Sequence, residues 1–178
     1  MASHWTGLSD ESFAGSTMVL SVVRVADAQA DDARAALRDL LIGRAGQLHF
    51  SKESDDRRGT LAKAVGALGL DLIVVVRRSR DSDARARAVC LTTVAWALHD
   101  ALDLLVIESR GPRQDGVDAD VLARLAAGGC RLPVHFLGKR ADPLLWAADI
   151  LASATFQAVG RGVPGYLEAL GHVRRIDC

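Results

Sequence analysis

The chain has 178 residues, of which 49% are hydrophobic and 25% charged, with 22 Lys+Arg against 22 Asp+Glu. These values are typical of a globular protein and predict one domain over residues 1–178, because a chain of this length buries a core without disulfides or metals. The neutral balance gives no global sign of a nucleic-acid or membrane partner, and the three widely spaced cysteines match neither a disulfide framework nor a CxxC-type zinc site.

The N-terminal residues MASHWTGLSDES lack the basic start and apolar run of a signal peptide. No apolar stretch approaches the length of a membrane-spanning helix. We therefore expect a soluble, cytoplasmic protein with no membrane partner. Heavy use of Ala and Arg with few Lys indicates a GC-rich bacterial coding bias, which makes any single Arg less informative.

Short β-branched runs alternate with longer Ala/Leu-rich amphipathic segments, a pattern that predicts an α/β fold with a largely parallel sheet. In the first half of the chain, residues 3–8 make a poor strand, and Asp10 and Glu11 lie in a segment that also suits a turn. Strands are expected over 16–26, 47–50 and 70–79, and helices over 27–46 and 54–69.

The second half continues the alternation with clear start signals. A Ser/Asp cap opens a helix over 82–102, and Asp142 before Pro143 starts a helix over 143–159. Between them we expect an apolar central strand over 102–109, a helix over 117–129 and a strand over 131–138. The last residues, 173–177, are interpreted as an exposed tail, and Trp96 and Trp146 as core residues.

Two carboxylates stand in apolar surroundings. Asp149 lies inside the apolar helix PLLWAADILASATFQAV, and Glu108 ends the apolar run LDLLVIES. A buried carboxylate requires a facing cation or donor, so Asp149 belongs either to a structural ion pair with an Arg, to a cap for a neighbouring loop, or to a functional site. Glu108 is either a solvated residue at a strand end or a site residue, since ligands of open α/β sheets bind beyond the carboxyl ends of the strands.

Carboxylates that converge from different elements repel one another unless a cation lies between them. Oxygen-only clusters select hard ions such as Mg²⁺ or Mn²⁺, which activate water and bind phosphoryl oxygens. The sequence therefore favours a divalent-cation site of the kind that nucleases use.

The order of SDES, STMVLSVVRV, LHFSKES, LLVIES and PLLWAADILASA resembles the domain of unknown function 3800 family across nearly the whole chain. That resemblance implies a single ribonuclease-H-like domain with a mixed central sheet flanked by helices. It assigns metal binding and catalysis to Asp10, Glu108 and Asp149. Glu53 would supply a fourth catalytic acid, with Asp56 as its substitute, and His49 and Lys52 would contact substrate.

These residues predict a metal-dependent nuclease that hydrolyses phosphodiester bonds of RNA or DNA with Mg or Mn. Arg110 and Arg113 flank the loop after Glu108 and are candidate phosphate anchors. The alternative is a catalytically silent binding or regulatory module with the same fold. Neutral net charge favours it, as does Phe13 after Ser12, where the family pattern has Gly. Homo-oligomerisation and a controlling protein partner are left open.

Overall fold

A computed structural model describes residues 4–178, which form six strands and six α-helices. The strands are β1 (Trp5–Ala14), β2 (Thr17–Ala26), β3 (Asp71–Arg78), β4 (Leu104–Glu108), β5 (Val134–Leu137) and β6 (Val173–Asp177). The helices are α1 (Asp27–Asp39), α2 (Asp55–Gly66), α3 (Asp83–Leu98), α4 (Pro112–Ala127), α5 (Leu144–Arg161) and α6 (Gly165–Leu170). A short 3₁₀ helix, Phe50–Lys52, precedes α2.

The six strands form one mixed sheet in the order β5-β4-β1-β2-β3-β6. Strands β1, β2 and β3 are antiparallel neighbours, whereas β4 and β5 run parallel to β1, and β6 runs parallel to β3. A two-residue turn joins β1 to β2, and Gly15 adopts a φ of 61° there, which favours glycine. The predicted α/β class, with a mixed sheet flanked by helices, is confirmed.

Both faces of the sheet are buried, and successive residues of β2 alternate between them. Val19 and Val23 pack into the core that includes α5, α1, α2 and α6, whereas Leu20 and Val22 pack into the core beneath α3. Burial on both faces explains why β2 is apolar at nearly every position. Helix α5 lies across β1 and β2, so its inner face sits directly over the middle of the sheet.

Most expected elements are confirmed with shifted ends. Helix α1 ends at Asp39 rather than at residue 46, and α4 begins at Pro112 rather than at residue 117. Gly111 has a φ of 97°, so the chain turns before Pro112, whose fixed φ suits the first turn of a helix. The N–H of Leu144 donates to Asp142 Oδ1 at 2.9 Å, so the expected cap is present although α5 begins one residue later.

Four predictions are wrong, and each reflects tertiary pairing or packing. Residues 5–14 form a full strand because β2 and β4 pair with both of its edges. The expected tail is β6, which extends the sheet beside β3. The expected strand over 47–50 is loop and 3₁₀ helix, since no neighbouring strand pairs with it among the described residues. Trp96 is 46% exposed, whereas Trp146 is buried as expected.

No helix in the described part of the chain is both long and apolar enough to span a bilayer.

Candidate functional site

Asp10 and Glu108 lie side by side because β1 and β4 are parallel and in register. Ser9 pairs with Ile107, which places the next residue of each strand at the same level. Asp10 shares the side of β1 that carries Leu8, a member of the core beneath α5. The two carboxylates therefore meet under α5, toward the carboxyl end of the sheet, as sequence reasoning expected for Glu108.

Asp149 reaches the same place from above. It lies in the second turn of α5 and is 8% exposed. Its Oδ2 accepts a hydrogen bond from the backbone N–H of Phe50 at 3.0 Å, so it also holds the loop before α2. Ser21 fixes the helix over the sheet, since its hydroxyl donates to the carbonyl of Ala148 at 2.8 Å and lies 3.0 Å from the carbonyl of Asp10.

The cation that faces these acids is Lys139, which sequence reasoning did not select. Its Nζ lies 2.9 Å from Asp10 Oδ2, 3.1 Å from Glu108 Oε2 and 3.4 Å from Asp149 Oδ1. The lysine side chain is only 9% exposed, and Glu108, at 19%, is the most exposed of the three acids. Asp10, Glu108 and Asp149, called the acidic cluster below, thus converge on one ammonium group.

Lys139 is positioned by the strand before it and the helix after it. Strand β5 ends at Leu137, which pairs with Glu108, so Lys139 emerges at the same edge of the sheet as that acid. Its backbone carbonyl accepts a hydrogen bond from Trp146 Nε1 at 2.8 Å. The position of Lys139 in the sequence was the available signal. A lysine two residues after a parallel strand can reach a residue at the end of the neighbouring strand, here Glu108.

Burial and mutual repulsion set the protonation of the cluster. Desolvation and a hydrogen bond with Glu108 raise the pKa of Asp10 to about 6, against the lowering effect of Lys139. Desolvation also raises the pKa of Asp149 above its ordinary value. Burial disfavours the ammonium of Lys139, but the attraction of the three acids outweighs it and the pKa of Lys139 is raised. Lys139 is therefore charged at every physiological pH.

His49 is half-buried and lies near enough to the cluster for the charges of Lys139, Asp149 and Asp10 to act on its ring. Burial and the nearby charge of Lys139 lower its pKa, while the negative charges of Asp149 and Asp10 oppose this. The ring is consequently neutral at pH 7. Its Nε2 is in contact with Gln47 Nε2, and Gln47 in turn accepts a hydrogen bond from Arg140 at 3.3 Å.

The structure does not bring the other predicted residues into the cluster. Among residues 4–178, Glu53 forms no ion pair or hydrogen bond through its carboxylate, and Lys52 is exposed on the 3₁₀ helix. Asp56, the proposed substitute for Glu53, is exposed in the first turn of α2. Arg113 is exposed on α4, and Arg110 pairs with Glu11 while its side chain stays 55% exposed.

A second buried charge network lies on the opposite side of β1. Glu11 points away from Asp10 and forms an ion pair with Arg87 of α3. Arg87, whose side chain is 3% exposed, also donates to Asp118 of α4 at 2.7 Å. Burial disfavours this guanidinium, but the two carboxylates outweigh the penalty and raise its pKa. The network joins α3 and α4 to the strand that carries Asp10.

Comparison with known proteins found no matching family model and no matching curated protein. Within the described residues, no group of three His, Cys, Asp or Glu side chains is arranged to hold a metal ion.

Proposed function

We propose that this chain is a ribonuclease-H-like nuclease that hydrolyses phosphodiester bonds through a divalent cation held by the acidic cluster. The observation that carries the proposal is the convergence of three carboxylates, from β1, β4 and α5, on the ammonium of Lys139, which lies within 3.4 Å of each. Acids brought together from elements far apart in sequence repel one another, so a fold that assembles them requires a cation there.

The strand order supports the fold part of the proposal. The first three strands of the chain, β1, β2 and β3, are antiparallel neighbours. Strands β4 and β5 then extend the sheet in parallel on the free edge of β1, and β6 lies at the other edge, beside β3. The acids stand where the family resemblance expects them: on the first strand, at the end of the fourth and in a long helix near the end of the chain. A crevice at the carboxyl ends of parallel strands is a common ligand site.

The three acids match Mg²⁺ or Mn²⁺ in the chemistry of their donor atoms, while Lys139 occupies the point on which they converge. All three side chains offer carboxylate oxygens, which hard divalent ions prefer. Asp10 Oδ2 is buried, and the Lys139 ammonium lies 2.9 Å from it. Asp10, Glu108 and Asp149 would hold the ion. When bound, it would acidify water and stabilise the charge that develops on the leaving oxygen.

The surrounding side chains have definable tasks in this proposal. Lys139 keeps the acids together and presents positive charge toward a phosphoryl group. Neutral His49 offers a ring nitrogen near the cluster, where it can contact substrate or accept a proton. Arg110, on the loop after Glu108, pairs with Glu11 on the other side of β1 and keeps 55% of its side chain exposed, so it could bind a phosphate only outside the acidic cluster.

A cleavage assay tests the proposal. End-labelled RNA and single-stranded DNA are incubated with purified protein in Mn²⁺, in Mg²⁺ and in EDTA. We expect metal-dependent cleavage that Asp149→Asn lowers by at least about 100-fold, the scale on which removal of one electrostatic stabiliser acts. Asp120→Asn, at an exposed carboxylate of α4, is the matched control. Equal cleavage by the Asp149 variant and the wild type would show that the cluster is not the active site.

The second candidate is a silent ribonuclease-H-like binding or regulatory module, and Lys139 is the observation that favours it. An ammonium that already neutralises the acids can serve as a permanent structural substitute for a metal. Thermal unfolding with and without Mn²⁺ separates the two candidates. If the cluster binds Mn²⁺, the ion raises the midpoint of thermal unfolding, and Asp149→Asn abolishes that rise. If Lys139 replaces the metal permanently, Mn²⁺ leaves the midpoint of both proteins unchanged.

A further inference from the structure

We infer that Cys90 and Cys178 are a site of oxidative modification, at which a peroxide forms a disulfide that ties strand β6 to helix α3. The two sulfur atoms lie 4.0 Å apart although 88 positions separate the residues in sequence. Cys90 belongs to the core beneath α3, and Cys178 packs against that core. The pair therefore lies on the face of the sheet opposite the acidic cluster and does not depend on the proposed nuclease activity.

Regular structure holds both cysteines in place. Cys90 lies on the inner face of α3 and is fully buried. Cys178 directly follows β6, and its backbone N–H donates to the carbonyl of Val76 at 3.1 Å, which continues the ladder between β6 and β3. The contact between the two sulfurs is thus set by the packing of α3 on the sheet.

The distance between the thiols can be closed by a small movement. A disulfide has a sulfur–sulfur distance of about 2.05 Å, so the thiols must approach each other by about 2 Å. A change of χ1 at Cys178 moves its sulfur by a comparable distance, and this side chain is only partly buried. Cys130, the third cysteine, is buried and has no cysteine sulfur within 4.0 Å among residues 4–178.

The different surroundings of the two thiols give the reaction an order. Cys178 is partly exposed, so a peroxide reaches its sulfur first. A hydrogen bond with Asp81 raises the pKa of Arg77, and a charged Cys178 adds to that rise, so a guanidinium lies beside the sulfur that reacts. Burial raises the pKa of Cys90 to about 12, and the charge of Cys178 contributes to this rise. Cys90 therefore stays protonated and does not react with the peroxide itself.

The chemistry balances with hydrogen peroxide as the oxidant. The Cys178 thiolate attacks one peroxide oxygen, the O–O bond breaks and hydroxide leaves, which converts the sulfur to a sulfenic acid. Oxidation removes the negative charge of Cys178, which had opposed ionisation of Cys90. The Cys90 sulfur then loses its proton and attacks the Cys178 sulfur, and the S–O bond breaks as the hydroxyl group takes up that proton and leaves as water. Two thiols are oxidised to one disulfide, and one peroxide is reduced to two waters.

The bond changes how β6 is held. Strand β6 lies at an edge of the sheet and, among the described residues, pairs with β3 alone. Strands held by few contacts open locally more readily than the centre of a sheet. A covalent link to Cys90 attaches β6 to α3, the helix that also carries Arg87 and its buried charge network. Oxidation thus converts an edge strand into a fixed part of the core.

Peptide mapping tests whether the bond forms. Purified protein is reduced, freed of reductant, treated with hydrogen peroxide, alkylated and digested without further reduction. We expect a linked peptide pair that contains Cys90 and Cys178, a chain lighter by two hydrogen atoms, and a fall in free thiols from three to one. Cys130→Ala is the matched control and should form the same link, whereas Cys178→Ser should form none.

Amide hydrogen exchange measures the effect of the bond on β6. Oxidation should slow exchange over residues 173–177 by at least about tenfold, because the disulfide restricts the opened strand. The same slowing is expected in Cys130→Ala. Exchange in Cys178→Ser should be equal before and after treatment with peroxide.

Three results would overturn the inference. These are oxidation of Cys178 to a sulfinic acid without a link to Cys90, a disulfide that joins two chains on a non-reducing gel, and a link that leaves exchange in β6 unchanged. Cys90→Ala should accumulate the Cys178 sulfenic acid, which a dimedone-type reagent traps. Should this buried variant fail to fold, the wild-type peptide map and Cys178→Ser, at a partly exposed position, still decide the question.

Discussion

Replacing Lys139 by Met tests whether the ammonium holds the acidic cluster together. At 2.9–3.4 Å each of the three ion pairs is worth about 5 kcal/mol of Coulomb attraction at an effective dielectric of about 20. Desolvation of the four groups and repulsion among the acids offset most of that sum. In other proteins, removing one partner of a buried ion pair lowers the free energy of unfolding by about 3–5 kcal/mol. We expect a loss of this size for Lys139→Met at pH 8 without metal.

The pH dependence is the more specific signature. In the wild type, the pKa of Asp10 is raised to about 6, so the folded chain binds a proton that the unfolded chain has released. The contribution of Asp10 to stability must then fall as pH rises from about 4 to about 6 and change little from there to pH 8. Lys139 lowers the pKa of Asp10 and of Asp149, so without the ammonium both pKa values rise further. The stability of Lys139→Met should keep falling toward pH 8, by about 1.4 kcal/mol per pH unit for each additional proton.

Urea unfolding followed by circular dichroism at pH 5, 6, 7 and 8, with EDTA present, measures both quantities. Lys63→Met is the matched control, because Lys63 is exposed in the last turn of α2. A loss of less than about 1 kcal/mol at pH 8, with a pH dependence above pH 6 that matches the wild type, would show that Lys139 does not hold the cluster together. Addition of Mn²⁺ should restore part of the lost stability, since the ion replaces the missing positive charge.

Two further changes test the scaffold around the site. Arg87→Met leaves the buried Asp118 without its cation and Glu11 with only the exposed Arg110, and should lower the free energy of unfolding by about 3–5 kcal/mol. Arg85→Met, at an exposed arginine of the same helix, should change it by less than about 1 kcal/mol. Gly66→Ala would place Cβ 2.7 Å from the Leu170 carbonyl oxygen and should destabilise by about 1–3 kcal/mol, while Gly59→Ala in the same helix meets no atom within 4 Å and should stabilise slightly. Equal effects within either pair, measured by urea unfolding, would contradict the packing described.

Most element types, and the unusual positions of Asp149 and Glu108, were predictable from local sequence patterns. Strand β2 and helix α5 were predictable because their hydrophobic runs and end signals are local properties. Asp149 stood out because a charge inside an apolar helix requires a partner. The expected partner was an arginine, a loop or a metal, and the structure shows the loop contact with Phe50 together with a lysine.

Only the tertiary structure decided which residues meet. Residues 3–8 alone make a poor strand, yet residues 5–14 form β1 because β2 and β4 pair with both of its edges. Lys139 lies 129 positions from Asp10 in sequence, and no local pattern links them. The parallel register of β1, β4 and β5, with α5 laid across them, brings the two together. Contacts of that kind depend on the arrangement of whole elements, which residue-by-residue patterns do not encode.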